Sequence, residues 1–164
     1  MNILALDLAR QTGHAMNLPD GTIVSGSTSF ASLIGQDASA TFGKFITWLN
    51  VQIDSHDIEF VAYELIDWKI IGKDWRTMYL GMTGIIRGTC FNHRISTRGY
   101  PVRDIKFAAT GKKSAGKPAM VSSARAQWPD QTIIDDNQAD ALWVLYLAMV
   151  SFDMPVRKHA GELF

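Results

Sequence analysis

Three acidic residues stand where acids are costly. Asp7 lies within Ile3-Leu4-Ala5-Leu6-Asp7-Leu8, Glu64 within Phe60-Val61-Ala62-Tyr63-Glu64-Leu65, and Asp140 is the only charged residue between Gln138 and Val150. Strand alternation puts Asp7 on the face shared by Ile3 and Ala5. A carboxylate buried without compensation costs several kcal/mol, and like charges brought together raise one another's pKa. A shared cation removes both problems, and donors that are all oxygen favour Mg²⁺ or Mn²⁺ over zinc. Each acid alone has a plainer role: Asp7 at a strand end, Glu64 paired with a lysine, Asp140 on a solvated helix face. The coincidence of three favours metal. Asp136 and Asn137 lie four and three residues before Asp140, so either shares its helical face and offers a fourth oxygen. For Asp136, capping the helix is the competing role.

The charge distribution points to a polyanion. Sixteen basic and sixteen acidic residues cancel over the chain, but between Arg87 and Arg125 nine basic residues meet one acid, a local charge of +8. Lys106, Lys112, Lys113 and Lys117 lie in this stretch. Such segregation suits a phosphate-facing surface beside an acidic region, and a solvated basic face without a partner is the alternative.

The elements that must position these residues read as strands first, then alternating strands and helices. Asn2 to Leu8 reads as a buried strand, and Gly13 to Leu18 and Thr22 to Phe30 flank the turn Pro19-Asp20-Gly21. Phe42, Phe45, Ile46, Leu49 and Ile53 recur at helical spacing, with Asp37 or Ser39 as cap. Glu59 to Leu65 is a second apolar strand, and after a mixed loop a long helix is expected from about Asp74 to His93. Gly81, Gly84 and Gly88 each cost that helix about 1 kcal/mol against alanine, so the close approach of another backbone, such as a second copy of the chain, would explain them. Ser96 to Val102 reads as a strand, Arg103 to Ala109 as a short helix, and Thr110 to Gly116 as a basic loop. Lys117-Pro118 opens a helix that Pro129 ends. Asp135-Asp136-Asn137 can cap a last helix through about Ser151, apolar almost all round and therefore buried. The pattern is α/β with a mixed sheet, in one domain over residues 1–153, and residues 154–164 read as a loose tail.

Composition excludes other classes. A chain of 164 residues that is 47% hydrophobic and 20% charged is neither disordered nor fibrous. The single cysteine, Cys90, has no internal disulfide partner, and the start of the chain lacks the basic region of a secretory signal, so a cytoplasmic setting is expected. The longest uncharged apolar run, Ala141 to Val150, is too short to span a bilayer.

With these residues in view, the chain resembles a known family. Ile3-Leu4-Ala5-Leu6-Asp7 with Thr12-Gly13, Val61-Ala62-Tyr63-Glu64, Lys106 through Thr110-Gly111 to Ser114-Ala115-Gly116-Lys117, and Gln138-Ala139-Asp140-Ala141-Leu142 are similar in order and spacing to RuvC Holliday-junction resolvases. The length and the form Asp-Asp-Asn-Gln-Ala-Asp-Ala-Leu resemble the phage-encoded branch. The resemblance implies an RNase H-like fold, a homodimer, and symmetric nicking of four-way DNA junctions with two Mg²⁺ ions per site, Mn²⁺ substituting, in a bacterial or phage-infected cell. No membrane and no nucleotide cofactor are expected. Asp7, Glu64 and Asp140 match the family's metal-binding carboxylates, and Lys106 and Lys117 its lysines near the scissile phosphate. The family's fourth ligand, an Asp or His, falls on Asn137, so either Asn137 coordinates through its carbonyl or Asp136 takes over. An aromatic that stacks on a junction base follows the family's strand-end Glu. That position falls here on Asp67, with Trp68 the nearest candidate and Trp75 further on. The remaining tryptophans, with Met78 and Met82, read as core.

Two other readings share these residues: a nuclease cutting forks and flaps as well as junctions, and a junction-binding protein whose site has decayed at Asn137. An actin-like ATPase also begins with an Asp-bearing strand and hairpin, but 164 residues are too few for its two lobes.

Overall fold

The run Ile3-Leu4-Ala5-Leu6 becomes the centre of a sheet covered on both faces. The computed structural model describes residues 1–32, 38–67 and 72–156. Their order is β1 (Ile3–Asp7), β2 (Gln11–Asn17), β3 (Ile23–Ser29), α1 (Ala38–Ser55), β4 (Phe60–Leu65), α2 (Lys73–His93), β5 (Ser96–Pro101), α3 (Val102–Thr110), α4 (Lys117–Gln127) and α5 (Asp136–Ser151). The strands run β3-β2-β1-β4-β5; β1, β2 and β3 form an antiparallel meander, and β4 and β5 extend it parallel to β1. This is the mixed sheet expected from the strand and helix pattern.

Alternation along β1 builds two cores. Ile3 and Ala5 join Leu142, Trp143 and Leu145 of α5, while Leu4 and Leu6 join Phe45 and Leu49 of α1 and Met82 and Ile86 of α2. A strand buried on both faces is continuously apolar, which is why β1 has no alternating polar residues. The β2–β3 turn closes on Gly21, whose φ of 84° a side chain would resist, and the Asp20 carboxylate accepts from Thr22 N–H at 2.9 Å. α3 ends at Gly111, φ 70°, which donates its N–H to the Phe107 carbonyl. Pro118 opens α4 in its first turn.

Three local expectations change. Ser39 lies inside the first turn of α1 instead of capping it, and Asp37 falls outside the described residues. The three glycines of α2 do not share one purpose. A Cβ on Gly81 would stand 2.3 Å from the Phe42 ring of α1, whereas Gly84 and Gly88 face open space. Met154 and Val156 pack against the α5-side core, and 157–164 lie outside the described residues. No helix among the described residues is long and apolar enough to cross a membrane.

One glycine controls how α5 meets the sheet. A Cβ on Gly13 would lie 1.9 Å from the backbone oxygen of Asn137, so no side chain fits there. Gly13 pairs with Asp7 across β1 and β2, and its bareness lets the start of α5 rest directly beside the first acid. Gly13→Ala is expected to lower stability by about 1–3 kcal/mol, because backbone must move. Gly43→Ala, in open space on α1, is expected to raise it by about 0.5–1 kcal/mol. Urea unfolding of the two variants checks the opposite signs.

Candidate active site

The register of the parallel pair sets two acids side by side. Leu6 pairs with Tyr63, so Asp7 and Glu64 follow next along β1 and β4. Both continue the alternation that sends Ile3, Ala5, Phe60 and Ala62 to the α5 side. The two carboxyls lie close enough for each to bear on the other's titration. Asp140 reaches the pair from α5, and its Oδ1 is buried with no hydrogen-bond partner. The three acids singled out in the sequence therefore converge from three elements.

Their protonation reflects burial and mutual repulsion. Burial, then the charges of Glu64 and Asp140, pushes the Asp7 carboxyl well above its usual range. Glu64 is also raised by burial, against the opposing hydrogen bond with Asp7 and the charge of Lys106. Asp140 is pushed up to about 7 by burial and by the Glu64 and Asp136 charges, with Lys106 and Lys117 pulling the other way. Among the described residues no three carboxylate, imidazole or thiol side chains converge tightly enough to hold an ion as they stand. The donor chemistry nonetheless fits a hard divalent cation. Asp140 Oδ1 has no partner, and Asp7 and Glu64 oppose each other's ionisation or share burial with it, so a cation there would offset what burial and repulsion oppose.

The acid at the start of α5 has a different partner from either expected. Asp135 is the cap: its Oδ1 accepts from Gln138 N–H at 2.8 Å. Asp136 therefore does not cap. It forms an ion pair with Lys117, whose hydrogen bond holds the Asp136 carboxyl below its usual range and raises the lysine. Lys117 opens α4, where the helix dipole disfavours a cation, and Asp136 offsets this. The lysine side chain is 78% exposed, so the pair contributes about 0–1 kcal/mol and its effect is positional.

The remaining expected residues divide. Lys106, on α3, acts electrostatically on both Glu64 and Asp140. Lys112 and Lys113 are exposed on the loop between α3 and α4 and do not contribute to the carboxylates' shifts; Lys113 sits 6.0 Å from the centre of the Phe107 ring. Asn137 lies in the first turn of α5 with its backbone over Gly13. Trp68 lies outside the described residues. Sequence reasoning missed the polar clamp that fixes α5. Gln138 Nε2 donates to Ser25 Oγ at 2.9 Å and its Oε1 accepts from Ile134 N–H at 2.9 Å, while Ser27 Oγ donates to Asp135 at 2.7 Å. The signal was a serine-rich strand, Ser25 to Ser29, facing a helix start with its own cap.

The raised acids give a pH dependence of definite sign. A carboxyl whose folded pKa is raised stabilises the fold below its ordinary range and loses that contribution as pH climbs toward the folded value, here to about 7 for Asp140. Cation-free protein is thus expected to gain stability relative to Asp140→Asn as pH falls from 7.5 to 5. At pH 7.5 Asp140→Asn is expected to melt several degrees higher than the wild type, since each kcal/mol moves Tm by about 2–4 °C. Mg²⁺ should raise the wild-type Tm more at pH 7.5 than at pH 5 and leave the variant almost unmoved. Melting curves with chelator or Mg²⁺ decide; a wild-type-to-variant difference that is flat with pH would contradict the assignment.

No protein-family model matches the chain, and no curated protein matches it in sequence. Solved structures do match in shape. Thermus thermophilus RuvC superposes with a TM-score of 0.73 at 14% identity, over 96% of this chain and 100% of that one. The same protein in complex with a Holliday junction substrate gives 0.72 at 15% identity, over 92% and 97%. Fowlpox virus resolvase with its Holliday junction DNA gives 0.59 at 12% identity, over 93% and 99%. Together with the strand order and the two-sided helical cover, these likenesses establish the fold: the chain is built as the RuvC-type resolvases are, an RNase H-like mixed sheet flanked by helices.

Proposed function

We propose that the protein is a metal-dependent endonuclease that resolves four-way DNA junctions by paired nicks, with residues 1–153 as its nuclease domain. Its expected setting is the cytoplasm of a bacterial or phage-infected cell. The observation that carries the reading is the meeting of Asp7, Glu64 and Asp140 beside Lys106 and Lys117, on a fold shared with proteins solved together with Holliday junction DNA.

Asp7, Glu64 and Asp140 would hold Mg²⁺, with Mn²⁺ as a substitute, in a two-ion site. Asn137, or Asp136 once Lys117 has turned to phosphate, would supply the fourth oxygen from the first turn of α5. Held by these carboxylates, divalent cations would supply activation of water and neutralisation of charge at the phosphorus under attack. The lysines do the rest of the electrostatic work. Lys106 neutralises phosphate oxygen next to the acids. Lys117, held by Asp136 in an exposed and weak pair, can exchange that carboxylate for a phosphate at small cost. Lys112 and Lys113 extend the positive surface along the DNA backbone, contacts that position the strand without reading it.

Paired nicks require two sites, and α2 carries a surface suited to a second copy. Leu80 is 48% exposed and Phe91 81% exposed on the face of α2 that points away from the core, with Gly84 and Gly88 between them offering no side chain. Leu80 and Phe91 with the side-chain-free Gly84 between them leave room for another helix, and the exposed Arg87 lies on the same face.

Two measurements test the reading. Purified Asp7→Asn should bind a labelled immobile four-way junction about as tightly as the wild type. Its Mg²⁺-dependent nicking should fall at least about 100-fold, the effect of losing several kcal/mol of charge stabilisation. Nicking of a fork at the same rate as the junction would replace the resolvase with a broader branch nuclease, and binding without any nicking by the wild type would remove the enzyme reading. Phe91→Glu should convert a solution dimer to a monomer by light scattering; a monomeric wild type, with and without DNA, would refute the dimer.

A further inference from the structure

β3 is an edge of the sheet and pairs with β2 alone among the described strands. In an antiparallel pair, alternate residues turn their main-chain N–H and C=O toward the neighbouring strand, and the others turn theirs away. Phe30 N–H donates to the Arg10 carbonyl and Leu18 N–H to the Thr22 carbonyl, so the even-numbered residues of β3 are the ones that face β2. Ile23, Ser25, Ser27 and Ser29 therefore face outward. The Ile23 carbonyl accepts from Gln131 Nε2 at 2.8 Å. Among the described residues, the main-chain N–H and C=O of Ser25, Ser27 and Ser29 have no hydrogen-bond partner.

Nothing local blunts this edge. Proteins protect an open edge with lysine, proline or a bulge, because it otherwise templates another strand. From Gly21 to Gly35 the chain has no charged residue and no proline, and the β2–β3 register runs unbroken from Gln11 and Ser29 to Asn17 and Ile23. With no cation along it, the edge does not suit a DNA backbone. Its surroundings suit a peptide, because each face offers one apolar foothold. Ser25 and Ser27 turn their hydroxyls to Gln131, Gln138 and Asp135 on the α5 side. Ile134, between Gln131 and Asp135 in the chain, stands beside the same edge and is 69% exposed. Alternation places Val24, 41% exposed, on the opposite face.

We propose that β3 is a docking edge for an extended segment of a partner protein, which joins the sheet as a further strand. Main-chain hydrogen bonds to Ser25, Ser27 and Ser29 set its register, and its alternate apolar side chains cover Ile134 on one face and Val24 on the other. The segment has no proline where its N–H groups face β3, and it is uncharged along the paired stretch, as the edge is. The dimer proposed above uses α2, so the occupant of β3 is a different chain. This inference does not depend on the nuclease reading. It bears on the carboxylates all the same. The serines that face outward through their main chain hold the start of α5 through their hydroxyls, so a strand that steadies β3 also steadies the helix carrying Asp140.

The test selects phage-displayed random peptides on the full chain, without DNA or metal, and then uses the recovered peptide in synthetic form as the probe. The wild type is expected to recover peptides with alternate apolar residues. The bound peptide should slow hydrogen exchange at the Ser25, Ser27 and Ser29 amides, and N-methylation should weaken it at every second peptide position only, as strand pairing requires. Ser29→Pro replaces an outward N–H at the end of β3 with a ring and should weaken the peptide at least about 5-fold, on the order of one main-chain hydrogen bond, with Tm close to the wild type. Val24→Lys should weaken it as well. A selection that recovers nothing, or a peptide that leaves those amides exchanging and tolerates N-methylation throughout, would overturn the docking edge. Protection of the three amides in the free protein would show that the chain covers its own edge, and a doubled mass in light scattering that Ser29→Pro abolishes would assign the edge to a second copy; either result overturns the partner.

Discussion

Three carboxyl groups withheld from water at one end of the sheet constrain everything around them. Each acid arrives on a different element, so each element must be held in register to within a fraction of a turn. The hydrogen-bonded ladder between β1 and β4 fixes Asp7 and Glu64 relative to each other without further help. α5 has no ladder, and a slide of one turn would carry Asp140 away from the pair. The structure answers with several independent restraints at that helix's start. These are the bare backbone of Gly13 beneath Asn137, the Asp135 cap, and the Gln138 amide bound to Ser25 Oγ and the Thr132 carbonyl. Buried polar networks of this kind specify one arrangement when every member is satisfied.

The stability for this comes from the other end of the same helix. Leu142, Trp143, Val144 and Leu145 are completely buried, and Trp143 meets the Trp128 ring edge-on at 4.9 Å. Each such side chain stabilises the fold by about 1.5–3 kcal/mol, so four together outweigh a few kcal/mol of carboxylate desolvation. α5 is therefore two devices in one: an apolar body that anchors, and a polar first turn and a half that carries the chemistry. The cost that remains is held in the three buried acids.

What the sequence revealed depended on whether a residue's role was local. Asp7, Glu64 and Asp140 were legible because strand alternation and an unbroken apolar helix leave few explanations for a lone acid, and the hairpin was legible from Pro19-Asp20-Gly21. Residues whose role depends on distant partners were not. Gly13 could be read as part of a motif, but its reason is a carbonyl far along the chain. For Asp136, capping and metal binding looked alike, and the outcome was an ion pair that depends on where α4 begins. The spacing of Gly81, Gly84 and Gly88 suggested one shared purpose, yet Gly81 serves Phe42 and the other two face outward. Trp75, named from the sequence among the aromatics after Glu64, is exposed although it shares the helical spacing of the buried Tyr79 and Met82.

α2 has a double character. The helix has 21 residues, so at about 1.5 Å each it is a rod of roughly 30 Å. Its inner face packs on the sheet and ends at the exposed Trp75, and its outer face carries the Leu80–Phe91 stripe. A rod packed along its length transmits position without bending. With a second copy against the outer stripe, the separation of the two carboxylate sites is fixed by helix geometry and not by loops. On the proposed reading, two nicks related by symmetry would need no communication between the sites, only a substrate whose two strands present scissile phosphates at that fixed separation. A branched junction would meet that condition while a straight duplex would not without bending, so selectivity for DNA shape would follow from the spacing of two rigid sites.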